Sequence, residues 1–181
     1  MALSRQPGGF RPYGPVLRTT RYRVGATCVV GSGDVLINGA TGYVRPSTIK
    51  GSTITERGRF VGVAAHFVSS AAGIKDLFVY DHPEQRFIVQ ASPTVANAGV
   101  FLQHVLTWTR SGTVIHCNRT LGMSKHLLGA ATTAASMNGA FRVFAVVEGA
   151  DTTNTTATAY QKVICGWNPR FHYYNGTGAS I

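Results

Sequence analysis

Short runs of β-branched and aromatic residues recur along most of this chain, and they restrict its possible folds more than any other feature. "YRVGATCVV", "DVLI", "RFVGVAAHFV", "DLFVYD", "QRFIVQ", "VFLQHVLTWT", "GTVIHC", "AFRVFAVVE" and "TAYQKVICGW" are set apart by Gly, Pro, Asn, Ser and Thr. That texture predicts many short strands joined by turns. In "AFRVFAVVE", Phe141, Val143, Ala145 and Val147 fall on one face, and Arg142, Phe144, Val146 and Glu148 on the other. Both faces are partly apolar, as expected for a sheet covered on its outside. Helical signal is confined to a turn or two around Met123–Ala131, cut short by Gly122, Gly129 and the Thr run. The expectation is an all-β fold, a small β-barrel or β-sandwich, with no repeat of fixed period.

The front of the chain reads differently. "MALSRQPGGFRPYGPVLRTTRY" carries Pro7, Pro12 and Pro15, which remove amide donors, and Gly8, Gly9 and Gly14, which loosen what lies between. Arg5, Arg11, Arg18, Arg21 and Arg23 all precede the first acidic residue, Asp34. Residues 1–23 are therefore expected as an extended basic N-terminal arm, and residues 24–181 as the β-barrel or sandwich domain. Phe10, Tyr13, Val16, Leu17 and Tyr22 recur through that arm, which is unusual for a solvated tail. Ordering twenty-odd residues costs on the order of 20–40 kcal/mol, so the arm is expected to order against a partner. The whole chain has 17 Lys+Arg against 7 Asp+Glu, a net charge of +10. Such a balance favours an acidic protein surface or nucleic acid. Only 13% of the residues are charged, about half the usual share, which suits a protein that packs against something else.

Motifs for chemistry are near misses. In "VVGSGDVL" the third glycine of a dinucleotide fingerprint falls on Leu36. "STIK", Ser47 to Lys50, lacks the partner motifs of Ser/Lys acyl enzymes, and in "GMSKH" His126 replaces the last glycine of a nucleophile elbow. Cys28, Cys117 and Cys165 form no CxxC pair, and the six histidines show no zinc spacing. Buried free thiols follow, with no catalytic residue, metal or cofactor. No stretch approaches the apolar length of a membrane span. "LFVYDHPEQRFIVQ" gathers Asp81, His82 and Glu84 but reads as two strands and a type I turn with Pro83 in second place. Asp81, His82, Pro83, Glu84 and Gln85 would then form an exposed hairpin tip.

The run "GRFVGVAAHFVSSAAGIKDLFVYDHPEQRFIVQAS", residues 58–92, resembles the central part of the head decoration (capsid cement) proteins of tailed bacteriophages. There a similar strand leads into a hairpin with a D-H-P-E-Q-like tip. "AFRVFAVVEGADTTNTTATAYQKVICGWNPRFHYYNGTGASI" is similar to their closing strands and aromatic, Gly-rich ending. The likeness spans roughly residues 25–181, and this chain departs from it in its basic balance and in "FLQHVLTWTRSGTVIHCNRTLG". The resemblance implies a β-rich, non-enzymatic protein bound in many copies to the outside of the virion shell after assembly in the bacterial cytoplasm. Its partners would be the major capsid protein and neighbouring copies, as a dimer or trimer. Arg5, Arg11, Arg18, Arg21 and Arg23 would then pair with shell carboxylates. Phe10, Tyr13 and Tyr22 would act as anchors, although Phe10 and Tyr13 fit packing back on their own barrel equally well, and the 81–85 tip would either touch a neighbouring copy or simply close the sheet. The alternative expectations are a basic DNA-associated virion protein and a minor structural protein at the base of a head fibre.

Overall fold

The computed structural model describes residues 8–39, 41–47, 59–70, 73–91, 101–108, 117–131, 139–147 and 162–174. These residues are all-β. In chain order the first strands are β1 (Arg11–Tyr13), β2 (Thr19–Val24), β3 (Val29–Val30), β4 (Val35–Asn38) and β5 (Val44–Pro46). Next come β6 (Phe60–Ala64), β7 (Val68–Ser69), β8 (Lys75–Tyr80), β9 (Arg86–Gln90) and β10 (Gln103–Trp108). The last are β11 (Cys117–Asn118), β12 (Met123–Ser124), β13 (His126–Ala131), β14 (Phe141–Val146) and β15 (Lys162–Trp167). The segment expected to hold a helical turn is thus β12 and β13. β-Branched and leucine side chains there find both a strand partner and a core, which outweighs a weak local helical preference. Residues 112–116 of the expected "GTVIHC" strand lie outside the described residues, as do Arg5 and Lys50.

Five strands close a barrel in the order β2-β5-β4-β6-β8. All its ladders are antiparallel except β2–β5, which meet in parallel at Val24 and Val44. A six-stranded sheet follows in the order β1-β9-β15-β14-β10-β13. This sheet also curls round, because Ala91, just past β9, makes a parallel bridge to Leu128 of β13.

The two rings have the same topology. Taken in sequence order, the strands of each ring are joined first-third-second-fourth-fifth and back to the first, with only the first–third contact parallel. Their registers agree as well. Tyr80 lies opposite both Thr19 and Val63, as Gly166 lies opposite both Arg86 and Arg142. From Thr19 to Val24 is as many residues as from Arg86 to Ala91, and those two residues make the parallel closures. Their partners Val44 and Leu128 sit opposite Asn38 and Leu106. Two residues back along those strands, Leu36 pairs with Gly62 and His104 with Phe141, which returns the circuit to its start. Equal strand number and equal stagger give rings of the same diameter.

One cluster, with Val24, Leu36, Val44, Val61, Leu77 and Val79, fills the first ring. A second cluster fills the other ring with Phe87, Val89, Leu128, Val143 and Cys165, and spreads over Val35, Ile37, Phe60 and Val63 on the outside of the first. β6 is buried at every position because one face lines the first ring and the other meets the second. A bulge between its Phe60 and Gly62 pairings lets Phe60 and Val63 point the same way.

Residues 8–23, expected as an arm that orders on a partner, are built into both rings. β1 pairs with β9, and β2 is a stave of the barrel. Phe10 is 1% exposed, stacked on Phe141 at 4.6 Å and edge-on to Phe87. Its N–H donates to the Gly33 carbonyl at 3.0 Å. That approach needs glycine, since Gly33 has φ +85° and a Cβ there would lie 2.9 Å from the Phe10 oxygen. Burying such a ring contributes about 2–3 kcal/mol, one part, beside the β1–β9 and β2–β8 ladders, of what holds these residues within the chain.

Candidate interface

"DLFVYD" and "QRFIVQ" are strands, but they do not pair with each other. β8 belongs to the first ring and β9 to the second. The 81–85 segment is therefore a corner between rings and not a hairpin tip. The expected turn is present, with the Gln85 N–H donating to the His82 carbonyl at 3.0 Å and Pro83 in second place. Asp81 is fully buried, where an exposed carboxylate was expected. Its Oδ1 accepts from Arg18 Nε at 2.8 Å, its Oδ2 from the Tyr22 hydroxyl at 2.8 Å, and its carbonyl from Arg18 Nη2.

The hydroxyls of Tyr22 and Tyr174 lie 2.6 Å apart, and the Arg18 guanidinium covers the Tyr174 ring. The bond to Asp81 raises the Arg18 pKa. Burial, then the bonds to Tyr174 and Asp81, push the Tyr22 phenol far up. Burial also pushes the neighbouring His172 down to about 4, against the pull of Asp81. Gln85, buried too, straps the loop before β2: its Oε1 accepts from the Leu17 N–H at 2.9 Å and its Nε2 donates to the Pro15 carbonyl at 3.4 Å. Asp81 and Gln85 are thus buried and hydrogen-bonded within the chain. Glu84 is exposed, and His82 and Pro83 are half-buried.

A second polar cluster was invisible in the sequence. Asp34, Ser124 and His126 are all fully buried. Asp34 Oδ2 accepts from the Gly31 N–H at 2.7 Å, and the carboxyl is bonded by Ser124. Burial raises its pKa to about 7, and the two hydrogen bonds only moderate that rise. His126 Nδ1 accepts from the Val35 N–H at 2.9 Å, and Ser124 Oγ accepts from the His126 N–H. These groups fasten the β3–β4 turn to β12 and β13. Ser124 is committed to that carboxyl in a closed interior, which is a structural arrangement and not an activated nucleophile. The three cysteines are free. Burial raises all of them, Cys117 to about 11, and so favours the thiol.

The outward face of the first ring is basic and aromatic. Along β2, Thr19, Arg21 and Arg23 are exposed while Val24 is buried. Arg21 stands opposite Phe78 of β8, which is 49% exposed and lies against His66. The exposed acid on this face, Asp76, makes a 3.6 Å pair with Arg21. Arg45 is exposed on β5. Tyr13, Val16, Leu17, Tyr173 and Tyr174 continue the exposed apolar surface past Arg18. Of the residues expected to anchor a partner, Tyr13, Arg11, Arg18, Arg21 and Arg23 face outward, Tyr22 is half-buried and Phe10 is core. Phe78 was missed. Its alternation with buried Leu77 and Val79 is the sequence signal that could have found it.

The fold and this face define an all-β protein of two topologically identical rings, with a basic, aromatic outer wall on the first. No family model, no curated protein and no solved structure matches the chain.

Proposed function

We propose that this protein attaches in many copies to the outer surface of a tailed-phage head and clamps neighbouring capsid subunits without performing a reaction. The observation that carries the reading is the wall of Arg21 and Arg23 on β2, Phe78 on β8 and Tyr13 on β1, continued by Arg18, Tyr173 and Tyr174 beside them, in a chain with net charge +10. Arg and aromatic residues dominate the energetics of protein interfaces. A positive surface also steers association with acidic surfaces. A clamp that binds the assembled lattice and not free subunits stabilises the shell by mass action, and many modest contacts act together.

The test is mass spectrometry and cryo-electron microscopy of the particle. A copy number matched to the major capsid protein, with the protein outside the shell and heads lacking it rupturing at lower temperature, is the expected result. A few copies at the vertices would refute it in favour of a head-fibre base. Protection from protease inside the shell, with steeply salt-dependent binding to naked duplex, would refute it in favour of a DNA-associated protein.

A further inference from the structure

The matched rings differ at one edge. In the second ring the outer edge of β9 is covered, since Arg11, Pro12 and Tyr13 of β1 pair antiparallel with Ile88, Phe87 and Arg86. The register places Thr19, Thr20 and Arg21 of β2 where Arg86, Phe87 and Ile88 lie in β9. Among the described residues no strand pairs with β2 at those three positions on the side away from β8. Its backbone groups there can be assigned. The Phe78 carbonyl accepts from the Ala65 N–H on the β6 side, so Phe78 turns its polar groups away from β2. Arg21, opposite Phe78, is then in a non-hydrogen-bonded pair, and its own N–H and C=O point to the open edge, as do those of Thr19, whereas the same side of Arg23 is where β5 joins. Thr20 and Tyr22 serve the ladder to β8.

We propose that the β2 edge at Thr19–Arg21 receives an extended, acidic segment of another protein as an added antiparallel strand, in the place that β1 holds on the second ring. Strand addition supplies main-chain hydrogen bonds and leaves specificity to alternate side chains. Here those flanking side chains are Arg21 and Arg23, both exposed on β2, which select carboxylates. The same charges disfavour a second copy of this chain, because edge-to-edge pairing would set arginines of the two copies against each other. On the proposed function, which this inference deepens, the donor is a segment of the shell subunit.

Two arms test it. The first uses a capped peptide alternating Glu and Val, titrated into the protein by NMR. Shifts concentrated at the Thr19 and Arg21 amides are expected. They should weaken roughly tenfold or more in Arg21→Pro, which removes an outward donor and leaves the β8 ladder whole. Arg21→Ala, which keeps the amide, should bind better than Arg21→Pro. Shifts elsewhere or none, or equal binding by the two variants, would overturn the proposal. If Arg21→Pro does not fold, hydrogen exchange of wild-type residues 19–24 decides: the peptide must slow it.

The second arm adds protein to heads stripped of it. Wild-type binding that Arg21→Pro matches would also overturn the edge. Peptide addition at β2 with no wild-type binding to heads would leave the edge standing and refute the shell reading instead.

Discussion

Replacing Phe10 with alanine separates a folded N-terminal segment from a tethered one. The ring is 1% exposed, stacked on Phe141 and packed edge-on against Phe87, in the cluster that joins the two rings. Truncating a buried phenylalanine to alanine costs about 3–5 kcal/mol, transfer and cavity together. The backbone bond from Phe10 N–H to Gly33 remains, so the loss is confined to packing. For a chain of this size each kcal/mol lowers Tm by roughly 2–4 °C, so a fall of roughly 6–20 °C is expected. Phe10→Leu should recover more than half of it. Thermal and urea unfolding of the isolated protein, followed by circular dichroism, provide the measurement. A Phe10→Ala protein within about 0.5 kcal/mol of wild type, the range of an unremarkable surface change, would refute the packing and return residues 8–23 to an arm.

Three further outcomes follow from the polar interior. Arg18→Ala leaves buried Asp81 with the Tyr22 hydroxyl and no cation. Because Arg18 is 41% exposed and partly screened, the expected loss is about 1–3 kcal/mol by urea titration, below that of a fully buried pair. Folded Asp34 holds its proton up to about 7, against about 4 when unfolded, so its contribution makes stability fall as pH rises from 4 to 7. His172 titrates at about 4 folded against 6.5, so it makes stability rise over 4 to 6.5. The two opposed slopes reach about 1.4 kcal/mol per pH unit each; Asp34→Asn should leave the rising limb and His172→Gln the falling one, measured by urea titration across pH, and unchanged profiles would refute the assignments. In thiol labelling at neutral pH, only half-buried Cys28 should react before unfolding, with Cys117 and Cys165 appearing on denaturation.

The strands were legible in the sequence because alternation and β-branching report directly on a half-buried pleat. Strand partners were not. "DLFVYD" and "QRFIVQ" each signal a strand, yet the turn chemistry of Pro83 and Glu84 is equally satisfied at a hairpin tip or at a corner between rings. The duplication was invisible for a related reason. Register-equivalent positions hold Leu36 and His104, Val63 and Arg142, or Tyr80 and Gly166, which share no chemistry. A ladder is built from main-chain groups, so two rings of one geometry tolerate unrelated side chains. The basic face was half legible: the run of arginines showed in the composition, while the acids that engage Arg18 and Arg21 lie far along the chain at Asp81 and Asp76.

The pairing of β1 with β9 also sets an order of events during synthesis. Everything needed to close the first ring has been made once Tyr80 is translated. Phe10, by contrast, has no seat until Phe87 and Phe141 exist, and β9 is not held on its other side until β15 emerges. Phe10 is thus made before either ring yet is among the last residues of this fold to find its place, and the nascent protein carries an unsheltered aromatic ring until Phe141 and β15 have emerged.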